Sequence, residues 1–503
     1  MLGFFSAKPD HPLADAKEAR RVMAELPSLD PGTAVDQATA WFESLAASTD
    51  FRPDLRLERL FQLDEAALPQ ARRLAREYLG VARSARAQEF KLWQANRDYW
   101  VELAAAYEKC LAGVAAGEKG SEPIKTGSMG AKAGTGLGLL YARLLGAYAG
   151  QSKWNQLHYE PSDGSLWLAA GRIYLAAAAD KLAQRSVALS AGRETTPEAE
   201  YLKLLVFHAA SMDKLLPLEI EVAEHLIAHF LPYFVFTAEV RPDNVYWVDA
   251  AKPLPPTRLV KLPGMSPTLR FFSTGKAADA VADLRLDVAA RQALPAAIVL
   301  GGQYAVATVL TVLDHLAMCW SPQPPMRSHP RHRVESRLMV VCGLAALHER
   351  LASLSFSMAG IESWIVADVS QGGMGALIPK LTRDCAGIGT LVGMQPEGGD
   401  NWLVGVIRRF SRESETQGAV GIETLSKSPR AIVADSGGLQ TEGILLEPPA
   451  TGTIVRVLLP ESAWEDDIAL TLTLDGARVR LQPAGLIESG NGFALGRYTV
   501  SNA

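Results

Sequence analysis

The spacing of apolar residues divides the chain into a helical part and a β part. From about residue 15 to 235 apolar positions recur three and four apart, the period of a helix with one buried face. Trp93, Trp100, Leu103, Tyr107, Cys110 and Leu111 fall on one such face. Further helices are expected over Leu137–Ala149, Leu166–Leu189, Pro197–Ala210 and Leu215–Leu231. Between Val235 and Ser273 the pattern changes. Pro242, Pro253, Pro255, Pro256, Pro263 and Pro267 punctuate two extended pieces, Val245–Val248 and Leu269–Phe272, expected to form a small β element on the helices. Helix is expected again from Ala277 to Trp320, and Ser321–Pro330 reads as a Pro-rich linker.

After the linker the pattern shifts to strands. The candidates are Leu338–Cys342, Trp364–Val369, Thr390–Met394, Trp402–Phe410 and Ala419–Leu425, with Leu344–Leu354 as a helix or loop between the first two. Towards the end Leu470, Leu472 and Leu474 alternate, Asp475-Gly476 is a hairpin signal, and Val479 and Leu481 alternate on the return. Asn491-Gly492 precedes a last strand over Phe493–Val500. The expected segments are a helical domain over 1–234, a mixed segment over 235–320, a linker over 321–335, a β domain over 336–430 and a further β subdomain over 431–503. The fold class is α+β.

One helical stretch resembles a tetratricopeptide repeat. Trp167, Ala170, Gly171 and Tyr174 match its first helix and Ala183 fits its second. A shift of about 34 residues brings Tyr201 and His208 to the key places, and the match fades. True repeats and an ordinary bundle of helix pairs both stay open.

Composition narrows the function classes. A chain of 503 residues holds two or three domains. A net charge of −5 argues against bulk nucleic-acid binding. The richest apolar stretch, Leu226–Phe236, is interrupted by His229 and Pro232 and is too short to span a membrane. The start, Met1–Ser6, lacks the pattern of a secretory signal. Cys110, Cys319, Cys342 and Cys385 have no metal or redox spacing and read as thiols of a reducing cytosol.

The chemistry-bearing feature is a split motif. Arg327-Ser-His-Pro-Arg331 lies on the linker, and Asp368-Val-Ser-Gln-Gly-Gly373 follows about forty residues later. Together they read R-x-x-x-R and D-x-S-x-x-G. Arg333-Val-Glu-Ser-Arg337 is a second R-x-x-x-R, so the register is open. Pro330 keeps the first pair out of a regular strand and favours it.

This pairing, in this order and ahead of a β domain, resembles the PilZ family of bacterial cyclic di-GMP receptors. The resemblance covers about a hundred residues and implies a six-stranded β-barrel over 336–430. In it Trp402–Phe410 and Gly418–Glu423 look like the late strands. It also implies site roles. Arg327 and Arg331 would clamp phosphates and the O6/N7 edge of guanine, which a guanidinium fork fits. Asp368 would accept from the guanine N1–H and N2–H₂ donors, with Ser370 beside it. Gly373 would allow close approach of a ligand or supply a positive φ. Arg333 and Arg337 are the alternates.

Other motifs point nowhere. Gly127–Gly138 is glycine-rich, but it lacks a Walker ending and a preceding strand. His225 and His229 lie one helical turn apart near Glu221 and Glu224, and they read as structural rather than as metal ligands. Gly398-Gly-Asp400 reads as a hairpin turn, and no nucleophile–base order is visible. The expectation is a cytoplasmic, non-catalytic receptor without cofactor or metal. Its ligand is cyclic di-GMP, and it is expected to act on a protein partner through the helical region. The competing expectation is an adaptor that binds protein through the barrel without the ligand.

Overall fold

The computed structural model describes residues 11–49, 51–81, 85–116, 135–189, 193–321, 329–352, 360–381 and 385–502. The chain divides into two compact units. The first holds residues 1–158, 162–212 and 216–325; the second holds 326–503 with the short pieces 159–161 and 213–215.

Among the described residues, ten α-helices make up most of the first unit. They are α1 (Ala16–Glu25), α2 (Pro31–Ala47), α3 (Pro53–Gly80), α4 (Arg86–Ala115), α5 (Thr135–Leu157), α6 (Gly164–Ala179), α7 (Pro197–Ala209), α8 (Pro217–Phe230), α9 (Ala277–Arg291) and α10 (Val306–Trp320). Side chains and prolines cap their starts. Asp15, Asp30, Asp163 and Thr196 accept from the first-turn amides, and proline opens α2, α3, α7 and α8, where its missing N–H costs nothing. The face read on α4 is buried, with Tyr99 replacing Trp100 in the interior.

Two helical expectations are corrected. The helix over Leu166–Leu189 stops at Ala179, because Lys181 takes a left-handed φ of +60°. The chain then forms a two-stranded ribbon, β1 (Val187–Ala188) with β2 (Glu194–Thr195). Ala183 therefore lies in a turn and not in a second repeat helix. Gly171 has a packing reason: a Cβ there would sit 2.0 Å from the Ala250 carbonyl oxygen. The helix over Ala277–Trp320 is two helices, broken where Gln292 adopts φ +52° and Pro295 follows. The small β element is a four-stranded sheet: β3 (Val235–Thr237), β6 (Leu269–Ser273), β4 (Tyr246–Asp249) and β5 (Thr257–Arg258), in that order. The two pieces read from sequence pair as Tyr246 with Phe272.

The second unit is two closed six-stranded barrels. The first contains β7 (His332–Cys342), β8 (Glu362–Ser370), β9 (Gly373–Ile378), β10 (Leu391–Pro396), β11 (Leu403–Arg412) and β12 (Gly418–Ser426), ordered β10-β11-β12-β9-β8-β7. The strand expected at Leu338 starts six residues earlier, at His332, because a bulge carries the ladder past polar residues that break the alternation. Strand β9 was not anticipated from the sequence. Helix α11 (Leu344–Ala352) follows β7.

The second barrel contains β13 (Arg430–Ser436), β14 (Leu439–Leu445), β15 (Ile454–Leu459), β16 (Leu470–Leu474), β17 (Ala477–Gly490) and β18 (Phe493–Asn502). Asp475 and Gly476 both have positive φ in the β16–β17 hairpin, as the Asp-Gly signal requires. Val341, Leu344 and Leu347 share one apolar cluster with Ile444, Leu458 and Phe493, so α11 joins the two barrels through a continuous core. The His348 ring nitrogen, 3.1 Å from the Ile432 carbonyl oxygen, fixes the helix to β13.

Candidate functional site

The first barrel turns its motif residues outward by means of two bulges. On β8, Trp364 and Val366 point into the core, so regular alternation would send Asp368 and Ser370 inward too. A bulge between Val366 and Asp368 adds one residue. Val369 then takes the inward place, opposite Met374, and Asp368 and Ser370 face out opposite Gly375 and Gly373. A matching bulge on β7 between Arg333 and Ser336 puts Arg333 directly across from Asp368.

Arg331, just before β7, reaches the same face. Its Nη1 lies 2.8 Å from Asp368 Oδ1 and donates to Oδ2 at 3.0 Å. Both side chains are part exposed, 38% for Arg331 and 27% for Asp368. Asp368 Oδ1 is itself buried, and no well-aligned donor reaches it. Ser370 donates its hydroxyl to the Gly373 carbonyl oxygen at 3.0 Å, which ties the β8–β9 turn and leaves the oxygen lone pairs as acceptors.

Arg327 lies outside the described residues, as does most of the linker and most of the Gly127–Gly138 stretch. Arg333 is exposed on the outer face beside Asp368; Arg337 is also exposed, but pairs with Ile365, further along the strands. For Gly373 the positive-φ alternative is corrected: its φ is not in the left-handed region. A Cβ there would sit 2.1 Å from the Ile422 carbonyl oxygen, so the glycine lets β9 pack closely on β12.

Sequence reasoning missed Gly375. It faces Asp368 across the ladder, and a Cβ there would come within 3.0 Å of Oδ1. Its neighbour on β12 is Gly421, so two consecutive strands carry no side chain beside the carboxylate. The signal was present as the glycines of Gly373-Met-Gly375, but only the ladder register assigns it. The face thus offers a carboxylate acceptor, two outward guanidinium groups and a flat strip, a surface suited to a planar base with donor groups and an anion.

The other cluster named from sequence is of a different kind. Glu221, Glu224 and His225 come together on α8, without His229. Lys153 of α5 already sits between the carboxylates, 2.6 Å from Glu221 and 3.5 Å from Glu224. Burial works against ionisation of Glu221, yet the Lys153 ammonium pulls its carboxyl down to about 2. Gly398 has φ +75° in the β10–β11 turn, in keeping with a hairpin.

Residues 17–242 match the family model described as the N-terminal domain of the cyclic-di-GMP receptor FimW. The match covers just under half of the chain, falls on helices α1–α8 and the start of the small sheet, and includes no strand of either barrel. No curated relative and no solved structure matches. No helix among the described residues is long and apolar enough to cross a membrane.

Proposed function

We propose that the chain is a non-catalytic cyclic di-GMP receptor whose ligand docks on the outer face of the first barrel, a barrel of PilZ type. The observation that carries this is the meeting of Arg331 and Asp368 on one outward face, brought about by two bulges. The family match on the helical part supports the same ligand from a separate stretch of sequence. In the proposed mechanism the ligand exchanges the Arg331–Asp368 pair. The guanidinium turns to phosphate or to the guanine O6/N7 edge, and Asp368 takes the guanine N1–H and N2–H₂ groups. A part-exposed ion pair is worth only about 0–1 kcal/mol, so giving it up costs little. Arg333 stands across from Asp368 and would add a second contact, and Arg327 would supply another as the PilZ resemblance implies. The family match and the lack of a nucleophile–base order suit a cytoplasmic receptor that relays binding through its helical unit to a protein partner.

The discriminating experiment is competition between cyclic di-GMP and cyclic di-AMP. Adenine lacks the N1–H and N2–H₂ pair, so wild type should favour cyclic di-GMP by about tenfold or more, the effect of losing a polar pairing of about 1–3 kcal/mol. Asp368→Ala should reduce that preference. Equal affinity in wild type would reject guanine reading. Arg333→Ala should weaken binding more than Arg337→Ala, since only Arg333 stands across from Asp368.

A further inference from the structure

An exposed apolar loop leaves the edge of the four-stranded sheet. β5 is the edge strand, and the chain between it and β6 carries Val260, Leu262 and Met265. Val260 is 87% exposed, Leu262 63% and Met265 fully exposed, with Leu254 just ahead of β5 also exposed. Single exposed apolar residues are ordinary, but this concentration on one short loop marks an interaction surface.

Within the loop segment the charge has one sign, with Asp249 of β4 standing at its base and accepting from Thr268 and the Ala251 amide. From Ala250 to Thr268 the chain holds Lys252, Arg258 and Lys261 and no Asp or Glu, although the whole protein is at −5. Lys252 and Lys261 are exposed. The base of the loop is fixed: Leu259 N–H donates to the Val245 carbonyl at 2.8 Å, and the Arg258 guanidinium lies over the Tyr246 ring. Pro253, Pro255, Pro256, Pro263 and Pro267 restrict the chain around it, so little entropy is lost on docking.

We infer that this loop docks on an anionic lipid bilayer. Val260, Leu262 and Met265 enter the headgroup boundary while Lys252, Arg258 and Lys261 meet lipid phosphates. A projecting apolar tip flanked by bases needs no shape-matched groove, and the positive charge of the segment from Ala250 to Thr268 complements anionic headgroups. The inference is independent of the ligand site on the barrel.

The test is co-sedimentation of the full chain with vesicles of phosphatidylcholine, alone or with one part in three of phosphatidylglycerol. Binding to the anionic vesicles should exceed binding to neutral ones by about tenfold and should weaken with salt. The double variant V260D/M265D should bind at least about tenfold more weakly, and K252E/K261E should lose the anionic preference, both with unchanged thermal midpoints. Failure to bind either vesicle, equal binding to both, or wild-type binding by V260D/M265D would overturn the inference. Self-association abolished in V260D/M265D without vesicle binding would assign the loop to a second copy of the chain and overturn it as well.

Discussion

The two units each hold an arginine–aspartate pair, and the pairs differ in kind. In the helical unit Arg143 is 6% exposed and lies 3.2 Å from Asp64, which also accepts from the Tyr107 hydroxyl at 2.6 Å. Arg143 further donates to the Phe61 carbonyl, pairs with Glu65 and lies over the Phe61 ring. Burial pushes the Asp64 carboxyl above its ordinary range, against the pull of Arg143. On the barrel, Arg331 and Asp368 meet at the surface. The first pair is enclosed by partners and built to stay. The second has water on one side and a buried, poorly served oxygen on the other, so it can change partners at small cost.

The largest expected contrast is in stability. Arg143→Leu leaves Asp64 buried without its cation and should cost about 3–5 kcal/mol in urea unfolding, whereas Arg331→Ala should cost under about 1 kcal/mol. Equal costs would erase the distinction between the pairs. The next effect is on binding. Under the proposed function Arg331→Ala should lose about 2–4 kcal/mol of cyclic di-GMP affinity, the penalty for truncating a bonded charge pair. Arg143→Leu, measured where it is still folded, should bind as wild type. Smaller again is Gly375→Ala. Its new Cβ would crowd Asp368 Oδ1, so affinity should fall several-fold while stability falls by about 1 kcal/mol or more. Unchanged affinity would show that the carboxylate position is not needed.

A separate effect is in acid. Glu221 falls from an ordinary 4.5 to about 2 in the folded chain. Its contribution is therefore full above about pH 4.5 and lost as pH falls towards 2. Asp64, raised, acts with the opposite sign: its contribution is present below its unfolded value and lost as pH rises through the folded one. Glu221→Gln should flatten the acid limb of the stability curve below about pH 4.5. An unaltered limb would show that the Lys153 pairing adds nothing.

Much of the architecture is visible in hydrophobic period, and turns such as Asp475-Gly476 are visible too because their causes are local. What escaped the sequence depends on nonlocal geometry. Lys181 ends α6 in a left-handed conformation that no glycine announces. The second barrel closes through only two residue pairs between β13 and β16, Asp435 with Thr471 and Ser436 with Leu470. At the site, Arg331, Arg333, Asp368 and Ser370 could be named from spacing, but their common face could not. It comes from two bulges that reverse the alternation, and the same shift hides Gly375 as the partner of Asp368.

The central claim is that the outward arginine–aspartate face receives cyclic di-GMP. Calorimetric titration of the full chain, wild type beside Arg331→Ala, tests it most directly. The account predicts saturable binding to wild type, severe weakening in the variant, and matching thermal midpoints for the two unliganded proteins. No heat from wild type at high-micromolar ligand, or equal binding by both proteins, would contradict it.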